Sequence, residues 1–181
     1  MQEDIEYLYH IDLNDQVIGC IERKKAHKEG LLHRGGVVFV FNSKQQVFLT
    51  MRSKEKTIFP DHVDCACSFH VQYGQTYKQA AIAELQEETG LCQVPVFLGK
   101  FVLDKAPDHL IINVYKIVSD AEITLDPAEA SSGKFYDVRE AEKLISENKT
   151  TSWLPQSWKI VKENYLQAVH KNSRNKNRFT K

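Results

Sequence analysis

The chain has 181 residues with 24 basic and 24 acidic side chains, so its formal net charge is zero. A balanced charge produces no overall field that attracts nucleic acid or an anionic membrane, and the length predicts one domain with a substantial core. Residues 1–6 are acidic, and no run of about 18 apolar residues occurs, so we expect neither a signal peptide nor a membrane span, and a cytoplasmic location.

Hydrophobic periodicity and turn residues predict an alternating order of strands and helices along the chain. The predicted strands cover residues 6–12, 16–23, 36–41, 46–51, 63–71, 94–103, 110–118 and 133–138. The predicted helices cover residues 24–29, 76–89, 140–147 and 155–169. This order favours an α/β fold in which helices flank a mixed sheet.

The C-terminal end differs in charge from the rest of the chain. Residues 171–181 contain five basic side chains and no acidic one. We therefore predict a single domain over residues 1–170 and a basic, disordered tail over residues 171–181. A solvated end is the favoured interpretation of the tail, and a nucleic-acid partner is the alternative.

Three carboxylates are grouped within residues 83–91, whose sequence is AELQEETGL. On a helix, Glu84, Glu87 and Glu88 stand at i, i+3 and i+4, where Cβ atoms lie roughly 5–6 Å apart on one face. Two like charges at roughly 4 Å repel by about 4 kcal/mol in a surface-like dielectric, so the group costs stability unless a cation lies among the carboxylates. Hard cations such as Mg²⁺ and Mn²⁺ prefer carboxylate oxygens, and the segment therefore predicts a metal site.

A solvated helix face is the alternative for these glutamates, because glutamate is a good helix former. Ala81, Ile82 and Leu85 give the same helix an apolar face, and Gly90 is suited to end it. The acidic face lacks the interleaved lysines that offset charge on an ordinary solvated helix, which favours the metal site.

Residues 69–91 resemble the Nudix box, whose pattern is G-x5-E-x7-R-E-U-x-E-E-x-G-U, with U an aliphatic residue. The matching positions are Glu84, Leu85, Glu87, Glu88, Gly90 and Leu91. The resemblance implies a Nudix α/β/α sandwich and hydrolysis of a nucleoside diphosphate linked to another group. It also implies that Glu84, Glu87 and Glu88 bind Mg²⁺ or Mn²⁺, with Glu84 and Glu88 as the catalytic residues.

Three box positions depart from the pattern. Phe69 stands in place of the first glycine, Gln75 in place of the first glutamate and Ala83 in place of the arginine. Gln75 and Ala83 replace an acid and a base together, so neither charge is left unpaired. Phe69 adds bulk where the family backbone runs close to its metal and phosphates. Weakened activity, or a non-catalytic module that only binds a diphosphate, is therefore an alternative.

A second resemblance, over residues 10–92, is to the isopentenyl-diphosphate isomerase branch of the same superfamily. The residues that carry it are Val17-Ile18-Gly19, His27, His33-Arg34, Phe41-Asn42, Gln46-Val47-Phe48-Leu49, Arg52, Lys56 and Pro60. It implies that Arg52 and Lys56 hold a substrate diphosphate, a role that suits a forked guanidinium and a compact ammonium. A basic loop without a ligand is the alternative for Arg52, Lys54 and Lys56.

The same branch binds a metal ion through histidines near positions 27, 33 and 70. The spacing between His27 and His33 is one residue shorter than in the isomerase pattern. Loop histidines without a metal are therefore the favoured interpretation of these two, and a metal site with His70 stays open.

The residues that isomerase chemistry requires are replaced in this chain. Ser68 stands where the branch carries its cysteine, and Cys67 is displaced by one residue, which turns a strand side chain to the opposite face. Ile111 and Asn113 occupy the places expected for two glutamates on a facing strand. Because proton transfer needs an acid and a base within reach, isomerase activity is retained only as an alternative.

These observations predict a metal-dependent Nudix hydrolase that cleaves a diphosphate bond in a nucleotide or another organic diphosphate. Glu84 is a candidate base, as is Glu129 in the loop before the last strand, although an exposed glutamate without a role is the favoured interpretation of Glu129. The expected partner is a small-molecule diphosphate, with no membrane or nucleic-acid partner. The oligomeric state is left open.

Overall fold

The computed structural model describes residues 5–105 and 108–166. Its strands are β1 (Tyr7–Ile11), β2 (Val17–Glu22), β3 (His33–Phe41), β4 (Val47–Arg52), β5 (Val63–Asp64), β6 (Cys67–His70), β7 (Val96–Lys105), β8 (Asp108–Val118) and β9 (Ala130–Tyr136). Its helices are α1 (Arg23–Glu29), α2 (Tyr77–Thr89), α3 (Val138–Glu147) and α4 (Leu154–Val161), and a π-helical segment (Lys162–Leu166) continues α4.

Strand β3 is central to the sheet. It runs parallel to β8, from His33 opposite Leu110 to Phe41 opposite Val118, and antiparallel to β1, β4 and β6. Farther out, β1 pairs with β2, β8 pairs with β7, and β4 pairs with both β5 and β9. The sheet is therefore mixed, as the order of elements predicts.

Each face of the sheet has its own core, because alternate residues of β3 point to opposite faces. On one face, Phe39 packs in a cluster with Trp158 of α4 and Ile145 of α3. On the other face, Val38 packs in a cluster with Leu85 of α2. Helices thus cover both faces, and the predicted α/β/α sandwich with a mixed sheet is confirmed.

Helix α2 has capping residues at both ends. Thr76 Oγ1 accepts a hydrogen bond from the Gln79 backbone N–H at 3.2 Å, and Gln79 Oε1 accepts one from the Thr76 backbone N–H at 2.9 Å. Gly90 follows the helix with a φ of 73°, a left-handed conformation that glycine adopts without strain. The helix predicted over residues 76–89 is confirmed, and its three glutamates lie in its last two turns.

Two predicted elements differ from the structure in kind, and several others, such as β3 and β9, differ only in where they begin or end. The strand predicted over residues 63–71 is two strands, because β5 pairs with β4 whereas β6 pairs with β3. The helix predicted over residues 155–169 is α-helical only to Val161 and then becomes π-helical. The end of that helix and the tail predicted over residues 171–181 lie outside the described residues.

Candidate functional site

A cavity of about 320 Å³, here called the main cavity, lies among β3, β6, β8 and the loop that follows β4. Its polar lining residues include Arg52, Lys56, Ser68, His70 and Asp108. Its apolar lining residues include Val37, Leu110, Ile112 and Trp153. Apolar walls with a few convergent polar groups are the usual form of a small-molecule site.

Both residues predicted to bind a diphosphate line this cavity. Arg52 ends β4 and is 8% exposed; its Nη1 donates to Asp64 Oδ2 at 3.3 Å and its Nη2 to the Ile58 carbonyl at 3.2 Å. Lys56 lies in the loop that follows, and its Nζ donates to Glu129 Oε2 at 2.5 Å. The fold thus brings two cations to one cavity and holds each with a carboxylate.

Of the three glutamates on α2, Glu84 and Glu88 are half-buried and Glu87 is exposed. Burial, followed by the Glu87 and Glu129 carboxylates, raises the pKa of Glu84 to about 7. Burial, followed by the Glu129 and Glu84 carboxylates, raises the pKa of Glu88 well above its usual value, and the Lys56 ammonium opposes this shift. Glu84 and Glu88 therefore lie in a crowded, partly dehydrated environment, whereas Glu87 faces solvent.

Glu129 is not the exposed loop glutamate that the sequence favours. It is half-buried, paired with Lys56, and lines with Glu88 a second cavity of about 10 Å³, roughly the size of one water molecule. Arg52 and Ser68 line both this small cavity and the main cavity. Glu88 and Glu129 therefore lie beside the two residues that separate the cavities.

Three histidines converge beside the main cavity. His27 lies in the last turn of α1, His33 begins β3 and His70 ends β6. Their ligand nitrogens lie within 4.8 Å of one another. The register of β3 and β6, which places Gly35 opposite His70, brings the two strand histidines together. Within residues 5–105 and 108–166, no other group of three or more His, Cys, Asp or Glu side chains converges in this way, and the three α2 glutamates do not.

The chemistry of this histidine cluster fits a transition metal. Burial lowers the pKa of His33 to about 4 and lowers the pKa of His70 well below its usual value, so both imidazoles are neutral at pH 7. His33 Nδ1 lies 2.7 Å from the Leu31 carbonyl, which can only accept, so Nδ1 carries the proton and Nε2 a lone pair. The Nε2 atoms of His33 and His70 are buried and have no hydrogen-bond partner among the described residues. Neutral imidazoles suit Zn²⁺ and related ions, so the geometry favours a metal site over loop histidines.

Asp108 is a neighbour of the histidine cluster that the sequence analysis missed. It begins β8, is 2% exposed, and places Oδ1 3.7 Å from His27 Nδ1. Ser152 Oγ donates to Asp108 Oδ2 at 3.2 Å, which holds the carboxylate in place. The only sequence signal for Asp108 is its position just before an apolar strand. Acids at such positions are also common in solvated turns, so this signal does not identify a functional residue.

On β6, the side chain that faces the main cavity at the expected cysteine position is Ser68. Cys67 is buried on the opposite face, in the cluster that contains Val38. The predicted effect of the one-residue displacement is confirmed, since alternation along a strand places neighbouring side chains on opposite faces.

On β8, the side chains that line the main cavity after Asp108 are Leu110 and Ile112. The assignment of Ile111 and Asn113 to the facing positions is therefore wrong by one residue. Strand alternation is again the reason, because the sequence alone did not show which set of alternate residues points to the cavity. The corrected pair is aliphatic, so this strand still brings no glutamate to the cavity.

The three departures from the Nudix box lie in different surroundings. Phe69 is 7% exposed and packs in the core beneath α2, with part of its surface on the main cavity. Gln75 lies in the turn before α2, where its N–H donates to the Gln72 carbonyl at 3.0 Å. Ala83 is half-buried on α2. The bulk of Phe69 is therefore taken up mainly by the core.

A model of the NUDIX domain matches residues 31–156. The isopentenyl-diphosphate Delta-isomerase 1 of Photorhabdus laumondii is 28% identical over 175 residues, which covers 91% of this chain and 99% of that protein. An uncharacterized Nudix hydrolase of Nostoc is 38% identical over 126 residues, which covers 67% of this chain and 75% of that protein.

The crystal structure of DR0079 from Deinococcus radiodurans matches with a TM-score of 0.72 and 22% identity, and covers 88% of this chain and 99% of that one. This likeness concerns the fold alone. In the part of the chain that the structure describes, no helix combines the length and apolarity needed to cross a membrane.

Proposed function

Given that the chain belongs to the NUDIX domain family, we propose that it is a metal-dependent hydrolase that cleaves a diphosphate bond in a nucleotide or another organic diphosphate. Arg52 and Lys56 bind the diphosphate, and Glu84, Glu87 and Glu88 bind Mg²⁺ or Mn²⁺. The observation that supports this proposal most strongly is that the two sets of charges meet between the main cavity and α2.

Charged and polar side chains lie between the main cavity and α2. Lys56 Nζ lies 2.5 Å from Glu129 Oε2, and the Glu129 carboxylate is, after burial, the largest cause of the raised pKa of Glu88. Arg52 Nη1 lies 3.5 Å from Ser68 Oγ, and both residues line the small cavity with Glu88. These contacts support the proposal that a diphosphate bound by Arg52 and Lys56 would lie next to the acidic face of α2.

The acidic face of α2 fits a divalent cation because nearby protein cations offset its charge only in part: the pKa values of Glu84 and Glu88 stay raised although Arg23 and Lys56 oppose the shifts. Glu84, Glu87 and Glu88 lie near the C-terminal end of α2, where the helix dipole disfavours negative charge. With a pKa of about 7, Glu84 is divided between acid and carboxylate near neutral pH. When bound, Mg²⁺ or Mn²⁺ offsets such charges, neutralises phosphate oxygens and lowers the pKa of coordinated water.

Glu84 and Glu129 are the two candidate bases for the attacking water. A carboxylate whose pKa lies near 7 is well matched to accept a proton at neutral pH, which favours Glu84. Glu129 is held by Lys56, and a diphosphate that drew the Lys56 ammonium away would release the Glu129 carboxylate. The two glutamates therefore differ in whether substrate binding changes their availability.

The main cavity also accommodates the organic group of the substrate. Its apolar lining is formed by Val37, Leu110, Ile112 and Trp153. Its volume of about 320 Å³ lies near the lower end of the usual range for small-molecule sites, so a compact organic group fills it best.

The proposal is tested with purified protein, Mg²⁺ or Mn²⁺, and a panel of nucleoside and prenyl diphosphates, with released phosphate as the measurement. We expect Glu88→Gln to lower turnover by at least about 10–100-fold, the usual cost of losing a residue that only supports a metal ligand, because here the charged ligand itself is lost. Glu122→Gln, at an exposed position outside both cavities, is the matched control and should leave turnover unchanged. Full activity of Glu88→Gln would refute the metal role, and calorimetric binding without turnover would favour a non-catalytic module.

Isomerisation of isopentenyl diphosphate is a second candidate function, and the histidine cluster is the observation that favours it. His27, His33 and His70 converge as the resemblance to the isomerase branch implies. Against it, Ser68, Leu110 and Ile112 supply neither the cysteine nor the glutamates that the branch uses. Conversion of isopentenyl to dimethylallyl diphosphate by the purified protein would establish this function instead.

A further inference from the structure

Asp64, the last residue of β5, is a buried acid that accepts hydrogen bonds from five donors. It is 2% exposed. The donors to Oδ1 are the Cys65 N–H at 2.8 Å, Thr151 Oγ1 at 3.1 Å and Trp153 Nε1 at 2.9 Å. The donors to Oδ2 are Arg52 Nη1 at 3.3 Å and Ser68 Oγ at 3.1 Å. A carboxylate with this many donors is held rigidly and holds its donors in turn.

Three of these donors belong to residues that line the main cavity, and they come from three separate parts of the chain. Arg52 ends β4, Ser68 lies on β6, and Trp153 directly precedes α4. We propose that Asp64 is the positioning residue of the main cavity, which fixes the Arg52 guanidinium, the Ser68 hydroxyl and the Trp153 indole relative to one another. This inference rests on the proposed function, in which Arg52 binds the diphosphate.

The Arg52 guanidinium shows how this positioning works. Nη1 donates to Asp64 and Nη2 donates to the Ile58 carbonyl, so the guanidinium is held at two points. Its carbon atom also lies 5.6 Å from the centre of the Trp153 ring, a cation–π distance. Within the described ranges, the buried Nε of Arg52 has no hydrogen-bond partner. A guanidinium fixed in this way meets a diphosphate without first losing side-chain freedom, which favours binding.

The two oxygens of Asp64 accept hydrogen bonds from different donors, so mutations can separate the positioning of Arg52 from the other contacts of Asp64. Oδ1 accepts from Trp153, which lines the main cavity, and from two donors outside it, the Cys65 backbone N–H and the hydroxyl of Thr151, which is fully buried and does not line the cavity. Oδ2 faces Arg52 and Ser68. In Asp64→Asn, the amide oxygen would stay at the Oδ1 place, which faces three donors, and the NH₂ would take the Oδ2 place. The guanidinium would then lose one of its two hydrogen-bond anchors, while the shape of the side chain is kept.

The experiment measures the affinity for inorganic pyrophosphate in the presence of Mg²⁺ by calorimetry on the full chain. We expect Asp64→Asn to raise Kd about tenfold or more. Thr151→Val is the matched control: it also removes one hydrogen bond to Asp64, but from the side away from the cavity, and should change Kd less than about twofold while lowering Tm.

A double-mutant cycle separates positioning from general destabilisation. In an Arg52→Ala background, where Lys56 still binds pyrophosphate, Asp64→Asn should add almost no further loss if Asp64 acts through Arg52. Equal losses in both backgrounds would overturn the proposal. If Asp64→Asn does not fold, Asp64→Glu keeps the charge but displaces the carboxylate by one methylene, and wild-type affinity in that variant would also overturn it.

Failure of this inference can be told apart from failure of the proposed function. If the wild type binds pyrophosphate and Asp64→Asn binds it equally well, positioning by Asp64 is refuted and the hydrolase proposal stands. If the wild type binds no pyrophosphate, the proposed diphosphate site is refuted. Positioning by Asp64 is then tested by NMR on the wild type and Asp64→Asn. Loss of the carboxylate should shift both the Arg52 Nε–H and the Trp153 Nε1–H resonances, and unchanged resonances would overturn the proposal.

Discussion

The ring of Phe69 lies against the Cα of Gly36, so closely that a Cβ at position 36 would come within 2.3 Å of Phe69 Cζ. The two residues are directly opposite in the pairing of β3 and β6. A glycine on the neighbouring strand thus makes room for the phenylalanine that replaces the first glycine of the Nudix box. This pairing explains how the core accepts the bulk at position 69.

Gly36→Ala should therefore destabilise the fold by about 1–3 kcal/mol, because the added methyl group overpacks a buried ring. Urea unfolding followed by circular dichroism measures the change. Gly19→Ala is the control, since its added Cβ would find no atom closer than 3.8 Å and should alter stability by less than about 0.5 kcal/mol. If the clash is the cause, Phe69→Leu should recover part of the loss in the Gly36→Ala background.

The raised pKa of Glu84 predicts a particular pH dependence of stability without metal. Its pKa is about 7 in the folded state and 4.5 for an ordinary glutamate, so between these values the folded state binds more protons than the unfolded state. The contribution of Glu84 to stability is thus full below about pH 4.5 and is lost as the pH rises through about 7. Glu84→Gln cannot ionise and lacks this loss.

The measurement is Tm in EDTA from pH 4.5 to 8 for the wild type and Glu84→Gln, compared as a difference. The difference is needed because His33, with a pKa lowered to about 4, makes stability rise with pH over part of the same range. The wild type should lose stability relative to Glu84→Gln as the pH rises, and Mg²⁺ should reverse this above pH 7. For the exposed control Glu122→Gln, the difference in Tm from the wild type should not change with pH. The same result for Glu84→Gln would contradict the prediction.

The histidine cluster should bind a transition metal on its own. Adding Zn²⁺ to metal-free protein at pH 7 is expected to raise Tm, because three converging neutral imidazoles bind the ion more tightly in the folded state than in the unfolded chain. His33→Ala should abolish this rise, whereas His62→Ala, which removes a histidine outside the cluster, should keep it. An equal rise in Tm for both variants would place the ion elsewhere.

Lys56 and Lys54 offer a test of the diphosphate site within one loop. Lys54 is exposed, whereas Lys56 is half-buried and lines the main cavity. Lys56→Gln should raise KM for a diphosphate substrate about tenfold, because it removes a charge-assisted hydrogen bond of about 1.5–3 kcal/mol from Lys56 to the diphosphate. It also removes the cation that pairs with Glu129. Lys54→Gln should change KM less than about twofold. Similar KM values for the two variants would refute a specific role for Lys56.

Most of the α2 prediction follows from local patterns. The spacing of Glu84, Glu87 and Glu88, the apolar face around Leu85 and the stop at Gly90 are all visible in one short segment. Helix periodicity and capping depend on residues a few positions apart, and such signals survive without knowledge of the rest of the chain. The orientation of Cys67 away from the main cavity is also predictable locally, because it follows from the alternation of side chains along a strand.

The long-range relationships were harder to predict for a physical reason. The sequence did not show whether Ile111 and Asn113 or Leu110 and Ile112 face the main cavity, because that depends on how β8 is registered against β3. Asp64 carried a signal, an acid within an otherwise apolar strand segment, but its five donors come from residues as far away as Trp153.

Local sequence patterns are sufficient to predict the order of elements, the acidic face of α2 and the resemblance of residues 69–91 to a Nudix box. Three relationships are visible only in the folded chain: His27, His33 and His70 converge, Glu129 pairs with Lys56, and Asp64 accepts hydrogen bonds from three residues that line one cavity. Periodicity is a property of neighbours along the chain, whereas a site is made by strand register and by loop closure between distant residues.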